Sequence, residues 1–535
     1  MRQASPPREV ESSGSATRRV AVVDIGATAI RMEIAEISPD RPPRTLESLS
    51  QPVRLGKDTF TTGALRRDTI EESVRILRSY LDLIRQYQIP VPEGVRAIAT
   101  SAVKEAANRE AFLDRVHVAT GLNVECAEDA DLVRLTYLAV RGLPPHVYGR
   151  KSSALVVEVG GGNTELLLLQ GGRVVFYETY PLGSVRLRQM LEASRLPIRQ
   201  QRMALDNVLH RMILRITQSL QVCRLGTLIA ISGDMRLVAE RLTERWEDVP
   251  AAILKPSAVT RFAERVLTWT PDELVANYEV SFAEAETFGP ALLAYARLAR
   301  AFHVRRIVVP KVHLRTALEI EMAIREDLAE ELREHIRDAA RQLADHYQAD
   351  AAHAEHVAQL AVRLFRTLAP VHRLGPRHEF LLEIACRLHE IGLYVSNRSH
   401  HKHSMYLILN SGLFGVRRDD LLTIALVARY HRRSPPKPEH PFYSTLSHAQ
   451  RVVVQKLAAI LRVADALDRS RRGRVADIEP QLEEDRLVLL APNVEDLTLE
   501  MMALREKGSF FEDLFGLRLD LRARPVHANG STHEI

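Results

Sequence analysis

Two stretches of the chain carry the same hydrophobic pattern. In "VAVVDIGATAIRMEIAEI" an apolar run ends at Asp24, turns at Gly26 and resumes as a second apolar run. In "VVEVGGGNTELLLL" a run ends at Glu158, breaks at three glycines and resumes. Apolar runs of this length bounded by glycine predict strand–turn–strand units. Around the first unit the pattern is mixed to about residue 141. Ile70, Val74, Leu77, Leu81 and Ile84 recur at helical spacing, "RAIAT" reads as a short strand, and "SAVKEAANREAFLDRV" leads into a helix. A second mixed block runs to about residue 325, with strands expected near 154–159, 164–169, 227–232 and 306–310. From about 326 to 469 the pattern is almost wholly helical. The end of the chain reads as strand, strand, helix, strand.

The expected organisation follows from these shifts. Residues 1–17, polar and rich in Pro and Ser, form a disordered tail. Mixed α/β domains occupy 18–147 and 148–325, joined through "GLPPHVYGRKSS" at 142–153. A helical domain covers 326–473, and a small α/β appendage covers 474–535. A chain of 535 residues is too long for one core, so several domains are required.

The turns suggest chemistry. Glycines let backbone amides approach a ligand that side chains would exclude, and successive inward amides make an anion nest. An acid at the strand end can hold Mg²⁺ or orient a water. Two such units facing each other would give a cleft with phosphate loops on both walls. A net charge of +5 favours a polyanionic partner. Aromatics make up 5% of the chain and show no base-stacking motif, which argues against nucleic acid. Cys126, Cys223 and Cys386 are far apart and fit a reducing compartment. No apolar span is long enough to cross a membrane. A soluble, cytoplasmic protein is expected.

The phrases "VVDIGATAIRMEIAEI", "VRLGKD", "AIATSAVKEAANRE" and "VVEVGGGNTEL", continued by "PLGSVRL", "IAISGD" and "HLRTALEIEM", resemble the exopolyphosphatase/guanosine pentaphosphate phosphohydrolase (Ppx/GppA) family. The resemblance implies two ribonuclease-H-like domains of the actin and acetate-kinase superfamily with a cleft between them. It implies Mg²⁺-assisted hydrolysis of a terminal phosphate from inorganic polyphosphate or guanosine pentaphosphate, a homodimer and a place in the stringent response. Carried over by position, Asp24 and Glu158 serve the metal and the water. Gly26 and Thr28 in the first turn, then Gly160, Gly161, Gly162, Asn163, Thr164 and Glu165, form phosphate loops. Thr100, Ser101 and Lys104 lie near the phosphates.

The sequence also departs from the family pattern. Ala27 and Ala29 replace polar residues of the first turn, and Glu158 stands for Asp. An ungapped match places Leu132 where the family has its presumed catalytic Glu, so Asp131 or Glu128 becomes the candidate base. Losing a general base typically costs roughly 100- to 10,000-fold in rate. Two readings of the cleft follow. One is a working exopolyphosphatase. The other is a relative that binds polyphosphate or guanosine penta- or tetraphosphate without turnover.

The helical region adds a third reading. His353 and Asp465 lie on apolar stripes, His389 precedes Glu390, and His431 sits in "RYHRR". A carboxylate on an inward stripe requires a cationic or metallic partner. This series resembles an HD domain, which implies a divalent metal at His353, His389, Glu390, His431 and Asp465, and would move the phosphohydrolase chemistry there. Basic runs such as "RSHHKH" and "RSRRGR" are expected to line a polyphosphate channel.

Overall fold

Strand β1 (Arg18–Ile25) is apolar on both faces, and six of its eight residues are buried. It pairs antiparallel with β2 (Ala29–Ser38) and parallel with β4 (Val95–Ala99). With β3 (Arg41–Pro52) and β5 (Val124–Cys126) the sheet order is β3-β2-β1-β4-β5. The sequence pattern does not reveal β3, because its residues are largely exposed and polar. Its three prolines are tolerated because it lies at the sheet edge.

A second sheet repeats the plan. It comprises β6 (Ser153–Val159), β7 (Thr164–Gln170), β8 (Arg173–Tyr180), β9 (Thr227–Ala230), β10 (Ala251–Leu254) and β11 (Arg306–Pro310), in the order β10-β11-β9-β6-β7-β8. Again an antiparallel hairpin, β6–β7, is extended by parallel neighbours. These are the mixed sheets expected from the two strand–turn–strand units.

The computed structural model describes residues 17–524 except 40, 145–152, 195–197, 221–224, 324–325, 412, 433 and 495. The expected tail and most of the 142–153 connection therefore lie outside the described residues. The chain divides into two units, Met1–Ala329 and Glu330–Ile535.

Within the first unit, each face of the first sheet has its own core. Val23, Ile25, Ile30 and Met32 pack with the apolar stripe of helix Arg67–Gln86. Val22 and Ile98 face the opposite way, onto Leu135 and Leu138 of helix Asp129–Arg141. Ala317 and Leu318 join that second cluster. They belong to helix Leu314–Ala323, which follows β11 in sequence yet returns to cover the first sheet. A division by sequence position at 148–325 does not capture this return.

The second unit is helical, as expected, with Ala351–Thr367, Pro376–Leu388, Arg418–Arg429 and His448–Leu467 around one core. Strands β12 (Glu479–Leu482), β13 (Arg486–Pro492) and β14 (Arg518–Arg524) form a small sheet. Leu487, Leu489, Phe511 and Leu521 share that core, so this segment is built into the unit. The parallel β13–β14 crossover holds two short helices, Thr498–Lys507 and Ser509–Phe515, where the pattern predicts one. Gly508 separates them, and a Cβ there would lie 2.6 Å from the Leu504 carbonyl oxygen. No helix among the described residues is long and apolar enough to cross a membrane.

The β6–β7 turn rests on the start of helix Ser184–Ser194. A Cβ on Gly183 would meet the backbone of Gly160 and Gly161, which cannot yield as a flexible side chain would. Gly183→Ala is expected to destabilise the first unit by about 1–3 kcal/mol. Gly226→Ala, which meets open space, should stay within about 0.5 kcal/mol of native. Chemical denaturation of the two variants checks this.

Candidate active site

The two glycine turns have the same geometry. Gly26 N–H donates to the Ala29 carbonyl at 3.0 Å, and Gly160 N–H donates to the Asn163 carbonyl at 2.9 Å. At each glycine a Cβ would press on that same carbonyl, at 3.1 Å and 3.3 Å. The amides of Gly183, Ser184 and Val185 bind the carbonyls of Gly162, Gly160 and Gly161, each at 2.9 Å. With their carbonyls so occupied, Gly161 and Gly162 present amides that donate to no described residue, and the Asn163 amide does likewise. The turns touch: a Cβ on Gly161 would sit 2.6 Å from the Ala27 Cβ. A serine at 27 would be larger at this contact.

Register decides which charges face each other. Asp24 lies opposite Arg31 across β1–β2. Glu158 lies opposite Glu165 across β6–β7. Burial, then the Asp24 carboxylate, raises the Glu158 pKa to about 7, against the pull of Arg236 and a 3.5 Å bond from the Thr136 hydroxyl. Burial, Glu158 and Asp129 hold the Glu165 carboxyl well above its ordinary range. The Asp24 Oδ1 atom is buried without a hydrogen-bond partner. Tyr295 fixes the strand end: its hydroxyl accepts from Val159 N–H at 3.0 Å and donates to the Val157 carbonyl at 3.3 Å.

Asp24, Gly26, Thr28, Thr100 and Ser101 line a cavity of about 440 Å³ with Glu158, the 160–163 loop and Glu165. Thr164 does not reach it. That residue is fully buried, and its hydroxyl donates to the Leu182 carbonyl at 2.6 Å. Lys104 is also outside the lining, with its ammonium 2.5 Å from Asp129 and 3.7 Å from Glu128. Asp131 caps its own helix, accepting from Glu128 N–H at 3.3 Å, and is likewise outside the lining. Leu132 does line the cavity.

Several lining residues escape the sequence reading. Asp234 follows the N-cap Ser232, and burial together with Glu284 raises its pKa to about 7. Arg236 donates to the Val312 carbonyl at 3.3 Å, and burial lowers its pKa to about 10. Arg315 binds Glu33 at 3.2 Å and lies 3.8 Å from Asp24. His313 is kept neutral by burial and by Arg315, Arg236 and Arg31. Its Nδ1 accepts from Thr316 N–H at 3.2 Å, so the proton on Nε2 faces Glu33 at 3.3 Å. Position-by-position comparison of "DIGATAIR" with "EVGGGNTE" offered one signal: Arg31 stands where Glu165 does.

The second unit gathers His353, His389, Glu390, His431 and Asp465 as one cluster. Four of them, with Asp468 and Lys507, line a cavity of about 250 Å³, while His389 lies fully buried behind it. Burial lowers the His353 pKa, but Asp465, Asp468 and Glu390 outweigh it and raise the value to about 9. Its carboxylates are already paired with cations: Lys507 donates to Asp465, and Arg471 donates to Glu390 at 2.5 Å.

Known proteins match this arrangement. The Ppx/GppA phosphatase family matches residues 33–326, and Ppx/GppA phosphatase, domain III, matches 336–504. This chain belongs to the Ppx/GppA phosphatase family. A guanosine-5'-triphosphate,3'-diphosphate pyrophosphatase of Photobacterium profundum is 23% identical over 482 residues, covering 88% of this chain and 91% of its own. One from Vibrio vulnificus is 22% identical over 477 residues, with the same coverage. The crystal structure of an exopolyphosphatase from Cytophaga hutchinsonii superposes with a TM-score of 0.52 at 20% identity, covering 58% of this chain and 99% of that one. That likeness is one of fold.

The acids of the first unit also set its response to pH. Burial and Glu33 raise Glu319 to about 8. The folded chain keeps a proton that the unfolded chain releases near its ordinary pKa of 4.5, so stability falls as pH rises between these values. Glu319→Gln should reduce the loss of thermal stability between about pH 5 and about pH 8. An unchanged loss, measured by calorimetry at the two pH values, would refute this.

Proposed function

We propose that the first unit removes the terminal phosphate of inorganic polyphosphate, with Glu158 as the base that takes a proton from the attacking water. The observation that carries this reading is Glu158 itself. It is a half-buried carboxylate with a pKa of about 7, beside a turn in which the amides of Gly161, Gly162 and Asn163 donate to no described residue. A base poised near the working pH is the most effective one. The amides of Gly161, Gly162 and Asn163 suit the oxygens of a terminal phosphate, where charge grows as the bond breaks. Arg315 and Arg236 supply fixed positive charge to the same cavity.

The residues present fit a hard cation. Asp24 offers a buried, unpartnered oxygen next to Glu158, and Mg²⁺ takes oxygen ligands. Asp24 would hold it, with Glu158 adjacent, and the ion would neutralise charge on the phosphate. Guanosine pentaphosphate is the competing substrate, since the relatives from Photobacterium and Vibrio are named for it. A second reading, binding without turnover, is favoured by Leu132, which lines the cavity and accepts no proton.

Phosphate release from long polyphosphate and from guanosine pentaphosphate, each with Mg²⁺, separates these readings. Release from polyphosphate should rise with pH through about 7, as Glu158 loses its proton. Glu158→Gln should lower it roughly 100- to 10,000-fold and remove that dependence. No release from the native protein, with release from Leu132→Glu, would establish a binding protein. Release that survives Glu158→Gln with its acidic limb intact would place the chemistry elsewhere, and loss in His389→Ala would then put it in the second unit.

A further inference from the structure

We infer that Arg186 is a positioning residue that keeps the Asn163 amide aimed into the cavity of the first unit. The inference rests on the proposed role of the β6–β7 turn in holding a terminal phosphate. Arg186 Nε donates to the Gly162 carbonyl at 2.8 Å, and the Gly183 amide donates to the same oxygen at 2.9 Å. A trans peptide is planar, so its C=O and N–H point in opposite directions. The Gly162 carbonyl shares its peptide with the Asn163 N–H. Two donors on the carbonyl therefore hold that N–H on the other side, and Asn163 lines the cavity. Glycine leaves the backbone free to rotate, so this turn needs a lock from outside. A side chain at 162 cannot supply one, because a Cβ there would collide with Ser101 Oγ and the Phe60 ring.

The guanidinium is itself held on two further sides. It donates to Glu105, which follows helix Ser101–Lys104. Its central carbon lies 4.0 Å from the centre of the Phe60 ring, in helix Leu55–Thr62. Arg186 belongs to helix Ser184–Ser194, on which the turn rests. One side chain thus joins the glycine loop of the second sheet to two helices that pack with the first. A planar fork can serve a carbonyl and a carboxylate while its face covers a ring. Lysine offers a single tetrahedral ammonium and cannot meet all three. Arg186 is outside the cavity lining and its charge is paired with Glu105, so its effect on a bound phosphate passes through the peptide.

The test uses the full chain labelled with ¹⁵N-asparagine, with the Asn163 amide signal identified by its absence in Asn163→Ser. Inorganic tripolyphosphate, added without Mg²⁺, should shift this amide in the native protein. Arg186→Ala and Arg186→Lys should each remove most of that shift, and millimolar guanidinium should restore it in Arg186→Ala. In phosphate release from polyphosphate with Mg²⁺, both variants should lower kcat roughly 10- to 100-fold, less than the loss of a whole donor because the Gly183 bond remains. KM should change less than about 3-fold, and the acidic limb near pH 7 should stay, since Glu158 is untouched. A silent Asn163 amide in the native protein, the native response in Arg186→Lys, or a loss carried by KM instead of kcat would overturn the inference. A native response lost in both variants, with no phosphate release from any of them, would leave Arg186 in this role and refute the proposed turnover.

Discussion

The first unit is organised around carboxylates crowded together at the strand ends with little exposure to solvent. Glu158 faces Glu165 across one hairpin, and Asp24 lies close enough to raise the pKa of Glu158. Like charges directly opposite on a sheet are destabilising, and burial sharpens the penalty. The surrounding structure offsets it in identifiable ways. Thr136 donates to Glu158, Arg236 lies near it, and Arg315 links Glu33 to Asp24. Helix Leu314–Ala323, which carries Arg315, returns to the first sheet instead of staying with the strand that precedes it. The route of the chain thus brings a cation to buried acids.

Much of this was legible in the sequence, for a physical reason. Strands buried on both faces read as continuous apolar runs, and glycine marks the turns between them, so β1, β2, β6, β7, β9 and β11 all carry a signal. The acids at the strand ends come with the runs. What the pattern hides is long-range placement. Periodicity shows that helix Leu314–Ala323 has an apolar face, but not which sheet receives it. Lys104 and Asp131 carry suitable chemistry at suitable positions, yet one is neutralised by Asp129 and the other caps its helix. Local competition of that kind is settled by distances of a few ångströms, which a sequence does not print. Edge strand β3 was hidden for the opposite reason, since an exposed strand has no apolar alternation to display.

The two units handle buried acid differently. In the first, the carboxylates stand beside Arg31, Arg236 and Arg315, which stay charged and leave no lone pair to donate to a metal, and beside the neutral His313. In the second, neutral imidazoles with fixed tautomers stand among the carboxylates, and one lysine is already committed to Asp465. The two clusters therefore differ in the groups that stand beside their carboxylates.

Two departures from the family pattern also bear on each other. Leu132 gives the cavity an apolar wall. Glu158 is one methylene longer than the Asp it replaces, and burial is the largest cause of its raised pKa. Leu132 and Glu158 line the same cavity. Dehydration favours the protonated carboxyl and so moves its pKa toward neutrality. A carboxylate that titrates near 7 has the property that Leu132 lacks. Burial thus leaves, at the strand end, a carboxylate able to exchange a proton near neutral pH.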